Sequence, residues 1–129
     1  FLRSEIRIKF PYTTCAESDF GAGRIWKFDT NFAPEKLYLG DAIHKILEPL
    51  GIGRGDNNAS GGPDIGPIRE LGVPAVTLKQ NGWDYFDYHH TADDTLDKID
   101  PSDMAQNVAA YAAFTWIVAN LDDDFRSTE

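Results

Sequence analysis

Pro74-Ala75-Val76-Thr77-Leu78 is a short apolar run that lies between turn-forming residues. A run of this length without polar alternation is typical of a strand that is buried on both faces. Such strands belong mainly to the parallel sheets of α/β proteins. We therefore predict a buried strand over residues 74–78 that runs parallel to its neighbour.

Two segments with helical character flank this strand. The first covers residues 34–50 and ends at Gly51, a residue type that commonly follows the last helical turn. Its apolar positions recur at helical spacing: Leu39, Ile43, Leu47 and Leu50. The second helix is predicted to begin at an N-cap, Ser102 or Asp103, and to continue to about Asp122. Because this second helix is apolar nearly all round, we predict that it packs on more than one side. Its large apolar residues are Val108, Tyr111, Phe114, Trp116, Ile117 and Leu121.

Shorter segments complete the order of elements. Charged and apolar side chains alternate from Glu5 to Phe10, which is the period of a half-buried strand. Further strands are predicted over residues 13–17 and 24–28. A glycine-rich loop covers residues 51–66, and a short helix covers residues 65–71. The order β–α–loop–α–β–α predicts an α/β fold.

Composition excludes several classes of function. The chain has 129 residues, enough for one domain, and its net charge of −9 gives no basic surface for nucleic acid. Its single cysteine, Cys15, excludes an intrachain disulfide framework and a cysteine-based structural zinc site. The longest apolar stretch, residues 108–119, is too short to span a bilayer, so we predict no membrane span.

The stretch Tyr88-His89-His90-Thr91-Ala92-Asp93-Asp94-Thr95 is the strongest local candidate for chemistry. It contains two of the three histidines and follows the predicted buried strand, where α/β folds place ligands. Imidazole is a good zinc ligand, and a nearby carboxylate can hold its other nitrogen in the required tautomer. Two interpretations remain open at this point: a metal site, or loop histidines beside solvated acids.

Two further acidic turns carry weaker signals. In Glu17-Ser18-Asp19-Phe20-Gly21 an acid follows a predicted strand, and it fits either a metal ligand or, with more support, a turn residue. In Ser60-Gly61-Gly62-Pro63-Asp64-Ile65-Gly66, we expect Asp64 to cap the helix that follows. His44 lies in the first amphipathic helix, and we predict a structural role for it.

Together these segments resemble the co-catalytic dizinc exopeptidases, the family of bacterial leucyl aminopeptidase and plasma glutamate carboxypeptidase. The resemblance covers residues 16–125 and rests on four segments in order. They are Glu17 to Gly21, the Asp64-Ile65 loop, Gly72-Val73-Pro74 before the strand, and His89 to Thr95, the last followed by Asp97-Lys98-Ile99-Asp100. Pro63-Asp64-Ile65 is more similar to the glutamate carboxypeptidase branch, because the simpler aminopeptidases carry Ser-Asp-His there.

The resemblance implies a fold, a cofactor and roles for individual residues. The fold is a three-layer α/β domain with a mixed, mainly parallel sheet flanked by helices. Asp19 would bind one zinc ion and His90 the other, in a site whose two metals lie about 3.5–4 Å apart and activate a bridging water. The residues implied beside the substrate or the metal ligands are Asp64, Tyr88, His89 and Asp94. The loop from Trp83 to Phe86 would help to form the substrate pocket.

One part of the family pattern has no match in this sequence. The family takes its first histidine ligand, its bridging aspartate and a Glu-Glu pair, including the general base, from an N-terminal half. Residues 1–14, predicted to contain a strand, do not resemble that half, whereas residues 15–129 resemble the C-terminal part of the catalytic domain. Asp19 and His90 alone would give each metal one protein ligand, fewer than the three of a catalytic zinc. No catalytic base is therefore assigned within the chain.

Two hypotheses about function follow. The first is the C-terminal part of a zinc-dependent exopeptidase that hydrolyses terminal bonds of peptides or dipeptides and is inactive as this piece alone. The second is a non-catalytic binding or interaction module that retains the peptidase fold. A chain without the N-terminal half would expose a sheet edge and an apolar helix surface, so we expect it to self-associate. The resemblance also suggests a periplasmic or secreted location.

Overall fold

The computed structural model describes residues 13–127, in which four strands form one sheet. The strands are β1 (Cys15–Ala16), β2 (Ile25–Thr30), β3 (Gly53–Arg54) and β4 (Ala75–Gln80), in the spatial order β1-β4-β2-β3. β1 runs parallel to β4 and β3 runs parallel to β2, whereas β2 and β4 run antiparallel. The sheet is therefore mixed, and two of its three pairings are parallel.

Four α-helices connect and cover these strands. They are α1 (Leu37–Leu47), α2 (Gly66–Glu70), α3 (Tyr85–Tyr88) and α4 (Pro101–Asn120). One-turn 3-10 helices extend α1 at both ends, at Pro34–Lys36 and Glu48–Leu50. Gly51 then adopts φ +78°, a left-handed conformation that ends the helical segment as the sequence predicts. None of the helices within residues 13–127 combines the length and the apolar character that a bilayer crossing requires.

The hydrophobic core lies between one face of the sheet and the helices α1 and α4. Phe28 from β2, Leu47 from α1 and Phe125 after α4 are fully enclosed, and Leu78 from β4 and Phe114 from α4 pack against them. Burial of side chains of this size contributes about 1.5–3 kcal/mol each. The core therefore fixes α1 and α4 against the same face of the sheet.

Two buried amides tie α4 to the sheet. The Gln106 amide donates to the Ile25 carbonyl (2.7 Å) and accepts from the Ile25 N–H (2.9 Å). The neighbouring Asn107 accepts a hydrogen bond from Gln80 at 2.8 Å and donates to the Gly23 carbonyl at 3.0 Å. These bonds pair polar groups that burial would otherwise leave without partners, and they fix the rotation of α4 about its own axis.

Most of the predicted elements are confirmed, and several details are wrong. Helix α4 is capped by Asp100, whose carboxylate accepts from the backbone N–H groups of Ser102 and Asp103, so neither of the two predicted residues is the cap. The strand predicted parallel is parallel to β1 but antiparallel to β2, because an apolar run specifies burial and not direction. The predicted strand from Glu5 to Phe10 lies outside the described residues.

Replacing Gln106 by leucine is expected to destabilise the fold by roughly 2–4 kcal/mol. The substitution removes the partners of the buried Ile25 N–H and carbonyl groups, and each unpaired buried polar group costs about 1–3 kcal/mol. Urea unfolding monitored by circular dichroism measures the effect. Ala42→Gln, at an exposed position of α1, is the control and should change stability by less than about 0.5 kcal/mol. A Gln106→Leu variant as stable as the wild type would contradict this account of α4.

The loss of stability at acid pH should depend on Asp123. Hydrogen bonds from the Lys36 ammonium (2.6 Å) and the Tyr38 hydroxyl (2.7 Å) lower the pKa of Asp123 from 3.8 to about 2. A carboxyl group with a lowered pKa in the folded state stabilises the fold above its unfolded pKa, and this contribution is lost as pH falls through the folded pKa. The free energy of unfolding should therefore decrease between pH 4 and pH 2, and less steeply in Asp123→Asn. If the free energy of unfolding falls equally steeply with pH in the wild type and in Asp123→Asn, the hydrogen bonds to Asp123 do not stabilise the fold.

Candidate metal and substrate site

Asp19 lies just beyond the carboxyl end of β1, in an exposed turn. Gly21 closes this turn with φ +79°, a conformation that L side chains rarely adopt. A hydrogen bond of 3.4 Å from the Ser18 hydroxyl to the Gln80 side chain ties the turn to the end of β4. Because β1 and β4 are parallel, both strands end at the same edge of the sheet. The turn that carries Asp19 and the loop that follows β4 are therefore neighbours.

A stack of aromatic rings connects this turn to the histidine loop. The ring of Phe20 stacks on Tyr85 with 4.6 Å between centroids, and Tyr85 lies 4.6 Å from the ring of His89. The ring of His89 in turn stacks on His90 at 3.7 Å. Phe86 makes edge contacts with this stack. The structure thus brings the turn that carries Asp19 and the ring of His90 to the two ends of one continuous series of side-chain contacts.

The backbone presents His90 to solvent. His90 has φ +60°, the only positive value at a residue other than glycine within the described part of the chain. A tight turn holds this conformation, because the Tyr88 carbonyl accepts from both the N–H (2.9 Å) and the hydroxyl (2.6 Å) of Thr91. Left-handed backbone at a bulky residue costs free energy and is frequent at functional sites. The turn therefore fixes the backbone at His90 and leaves its side chain exposed at the end of the ring stack.

Most of the other predicted neighbours lie in one region beside the aromatic stack. Tyr88, His89 and Asp94 line a cavity of about 270 Å³ that also contacts α4. The Lys98 ammonium lies 5.5 Å above the ring of Tyr88 and pairs with Asp93 at 3.2 Å, which fixes this wall of the cavity. Three of the four predicted neighbours are therefore grouped around a single cavity.

Asp64 has a different position from the one expected of it. Its side chain is exposed and makes no capping hydrogen bond to α2, for which Ile65 is the N-cap residue. The backbone N–H groups of Asp64 and Ile65 instead donate to the Glu17 carboxylate, at 2.9 Å and 3.3 Å. The cap prediction is wrong because the Gly66 N–H, which an Asp64 cap would accept, donates to the Pro63 carbonyl at 3.3 Å, and Pro67 has no N–H to offer.

Glu17 is the residue that sequence reasoning missed. Its carboxylate holds the glycine-rich loop close to the end of β1 through a hydrogen bond. A Cβ atom at Gly62 would clash with this carboxylate. Together with Asp19, Phe20, Trp26 and this loop, Glu17 lines a second cavity of about 370 Å³. The one available signal was its position two residues before Asp19 at the end of the same strand, which places both acids at one edge.

The described residues do not form a complete zinc site. Within residues 13–127, no three side chains of histidine, cysteine, aspartate or glutamate lie close enough to hold one metal ion. Asp19 and His90 supply a carboxylate oxygen and an imidazole nitrogen, which are donors that zinc accepts, but a catalytic zinc takes three protein ligands. The assignment of Asp19 and His90 as metal ligands thus stays a prediction.

The pKa of Tyr85 depends on how close Asp19 and Asp94 lie to the aromatic stack. Burial, followed by the negative charges of Asp19 and Asp94, raises the pKa of the Tyr85 hydroxyl. Because a nearby carboxylate disfavours the phenolate, Asp19→Asn should lower this pKa. Titration of the ring carbon of Tyr85 by nuclear magnetic resonance measures it. Asp87→Asn, on α3 itself, is the control and should leave the pKa unchanged. An unchanged pKa in Asp19→Asn would mean that Asp19 and Tyr85 are further apart than described.

Comparisons with known proteins find similar chains, although no protein-family model matches this one. Rat carboxypeptidase Q is 32% identical over 81 residues, which are 63% of this chain and 17% of that protein. Human carboxypeptidase Q is 26% identical over 112 residues, which cover 87% of this chain and 24% of that protein. The crystal structure of a peptidase M28 precursor from Shewanella amazonensis superimposes with a TM-score of 0.81 at 52% identity, covering 87% of this chain and 25% of that one.

The matches cover most of this chain but only a small part of each relative. The chain spans about a quarter or less of the length of the proteins that it matches. The structural match confirms the α/β fold with a mixed sheet, at a level of identity that reflects common ancestry and not fold alone. By sequence and by structure, the chain is similar to carboxypeptidase Q and to a peptidase M28 precursor.

Proposed function

We propose that this chain is part of a zinc-dependent exopeptidase that hydrolyses terminal bonds of peptides or dipeptides. The observation that carries the proposal is the placement of Asp19 and His90 at one edge of the sheet, connected by the stack of Phe20, Tyr85 and His89. The names of the relatives, carboxypeptidase Q and peptidase M28, support the class of reaction.

The proposal gives each residue at this edge a defined task. Asp19 and His90 would each hold one of two zinc ions, with the remaining ligands and the general base supplied from outside the described residues. Zinc bound in such a site polarises the scissile carbonyl and lowers the pKa of a bound water. His89 supports the ring of His90 by stacking at 3.7 Å, and the side chain of His90 is exposed.

The cavity beside Asp19 suits the part of a substrate that lies next to the cleaved bond. Its walls combine the aromatic rings of Phe20 and Trp26 with Pro63 and Leu78, and the charged residues Glu17, Asp19 and Lys79 also line it. A concave site that combines apolar surface with a set of polar groups is typical of pockets that bind small ligands. We propose that it receives an apolar side chain of the substrate, and that such proteins work in the periplasm or outside the cell.

A second candidate function is a non-catalytic interaction module. It is favoured by one observation, that residues 13–127 contain no group of three metal-binding side chains. In this alternative Asp19 and His90 hold no metal, and the exposed aromatic residues near them, Trp83 and Phe86, contact a partner. The two candidates predict different zinc contents for the same protein.

The experiment measures peptidase activity and zinc content together, in the full-length polypeptide that carries this chain. We expect hydrolysis of dipeptides that bestatin and chelators inhibit, with zinc detected by mass spectrometry. Asp19→Ala and His90→Ala should each lower kcat/KM by about 10²–10³-fold, because loss of a metal ligand removes several kcal/mol of transition-state stabilisation. Both variants should also contain less zinc.

Matched controls separate loss of a ligand from loss of the fold. Asp122→Ala removes an exposed aspartate beyond α4, and His44→Gln replaces the one histidine far from the site, whose Nε2 lies 3.0 Å from the Ile52 carbonyl. Both controls should retain activity and zinc. Activity that survives in Asp19→Ala or His90→Ala would overturn the proposed roles, and a protein without zinc or turnover would favour the interaction module.

A further inference from the structure

The side chain of Glu17 is directed at the glycine-rich loop. Its Oε2 atom accepts from the Asp64 N–H at 2.9 Å and from the Ile65 N–H at 3.3 Å. Hydrogen bonds to a carboxylate are stronger than those between neutral groups. The other oxygen, Oε1, is buried and has no hydrogen-bond partner among the described residues. The hydrogen bonds that the structure describes for this side chain therefore go to the loop alone.

The backbone that carries Glu17 is itself held in place. Glu17 directly follows β1, which is paired with β4 in the sheet. The hydroxyl of Tyr111 on α4 donates to the Glu17 carbonyl at 3.0 Å, and Tyr111 packs against the hydrophobic core. The sheet and the core thus fix the point from which the carboxylate reaches the loop.

The glycine-rich loop is fastened at two places and forms part of the wall of the 370 Å³ cavity. The Gly61 N–H donates to the Thr77 hydroxyl on β4 at 3.0 Å, which fastens one end. Glu17 fastens the other end, and Gly62 and Pro63 line the cavity between these two points. A Cβ atom at Gly62 would clash with the Glu17 carboxylate, so the loop and the carboxylate are in close contact. The position of this wall therefore depends on Glu17.

Glu17 and Asp19 both line this cavity, and their carboxylates are engaged differently. The Glu17 carboxylate accepts from the loop, whereas the structure describes no hydrogen bond to the Asp19 carboxylate within residues 13–127. The two acids are therefore suited to different tasks, one that holds the loop and one that is free to bind a ligand.

We propose that Glu17 is a positioning residue that makes the cavity selective for large side chains of the substrate. The inference rests on the proposed exopeptidase function, in which this cavity receives a side chain next to the cleaved bond. With the wall held by Glu17, a side chain that fills the cavity contacts a loop that is already ordered. Binding then loses little conformational entropy, because the site is organised before the substrate arrives.

The first measurement compares leucyl-leucine with alanyl-alanine as substrates of the full-length polypeptide that carries this chain. These dipeptides have the same side chain on both sides of the cleaved bond. We expect Glu17→Ala to raise KM for leucyl-leucine roughly tenfold or more and to change kcat less than about threefold, because the lost contacts are made equally in the ground state and the transition state. KM for alanyl-alanine should change less than about threefold, since a methyl group makes few contacts with the wall.

Two further variants test the same contact. Glu17→Gln keeps an oxygen that can accept from both N–H groups, and it should restore KM for leucyl-leucine to within about threefold of the wild type. Gly62→Ala pushes the loop away from an intact Glu17 and should raise KM for leucyl-leucine selectively, as Glu17→Ala does. If Glu17→Ala does not fold, Gly62→Ala decides by the same comparison.

Zinc content and a matched control separate positioning from metal binding. Glu17→Ala should retain the zinc of the wild type, whereas Asp19→Ala should not. Glu70→Ala removes an exposed glutamate at the end of α2, the helix that follows the loop, and should leave KM for both dipeptides unchanged.

The second measurement is independent of activity. Hydrogen exchange followed by mass spectrometry should be roughly tenfold or more faster at Asp64 and Ile65 in Glu17→Ala, because both N–H groups lose their acceptor. Exchange in β4 should stay as in the wild type, which shows that the sheet is folded. Glu17→Gln should exchange at nearly the wild-type rate.

Three results in an active enzyme would overturn this inference alone. Loss of zinc in Glu17→Ala would make Glu17 a metal ligand, an equal rise of KM for both dipeptides would exclude a role in selectivity, and unchanged exchange at Asp64 and Ile65 would show that Glu17 does not hold the loop. A wild-type polypeptide that binds no zinc and hydrolyses neither dipeptide would contradict the proposed function, and the inference would fail with it.

Discussion

The parallel pairing of β1 with β4 is the constraint on which the candidate site depends. The Cys15 N–H and the Thr14 hydroxyl both donate to the Pro74 carbonyl at 2.9 Å, which fixes where β1 begins relative to β4. Because parallel strands end at the same edge of a sheet, the turn with Asp19 and the loop with His90 meet there although they are far apart in the sequence. Ligands of α/β proteins bind at this edge for the same reason.

Contacts between side chains then fix how the loops at this edge lie against one another. The ring of Tyr85 lies between Phe20 and His89, so the turn after β1 and the loop after β4 support one another. Such aromatic pairs contribute about 0.5–1.5 kcal/mol each beyond their buried area. Glu17 adds a third segment, because its carboxylate holds the loop at Asp64 through two backbone N–H groups. The turn after β1 and its preceding residue Glu17 thus contact two loops from distant parts of the sequence.

The sequence predicted those features that depend on local chemistry. Burial of the strand at residues 74–78, the helix stop at Gly51 and a structural role for His44 were predicted from residue types and their spacing. The structure agrees, with a left-handed Gly51 and with the Nε2 atom of His44 3.0 Å from the Ile52 carbonyl. Family motifs singled out Asp19 and His90, whose metal-binding roles remain predictions.

Features that depend on tertiary contacts were missed. The antiparallel pairing of β2 with β4 has no local signature, and neither does the reach of Glu17 to the loop at Asp64. The prediction that α4 is packed on more than one side also depends on tertiary contacts, since Val108 and Trp116 are exposed in the described chain. A helix apolar all round nonetheless indicates that a further contact covers it.

The central claim is that Asp19 and His90 belong to one metal site at this edge. Anomalous diffraction at the zinc edge, from crystals of the full-length polypeptide grown with zinc, tests it most directly. We predict two peaks about 3.5–4 Å apart, one within about 2.0–2.2 Å of an Asp19 oxygen and the other at the same distance from a His90 nitrogen. Peaks at other residues, or an Asp19 and a His90 that face different surfaces, would contradict the account.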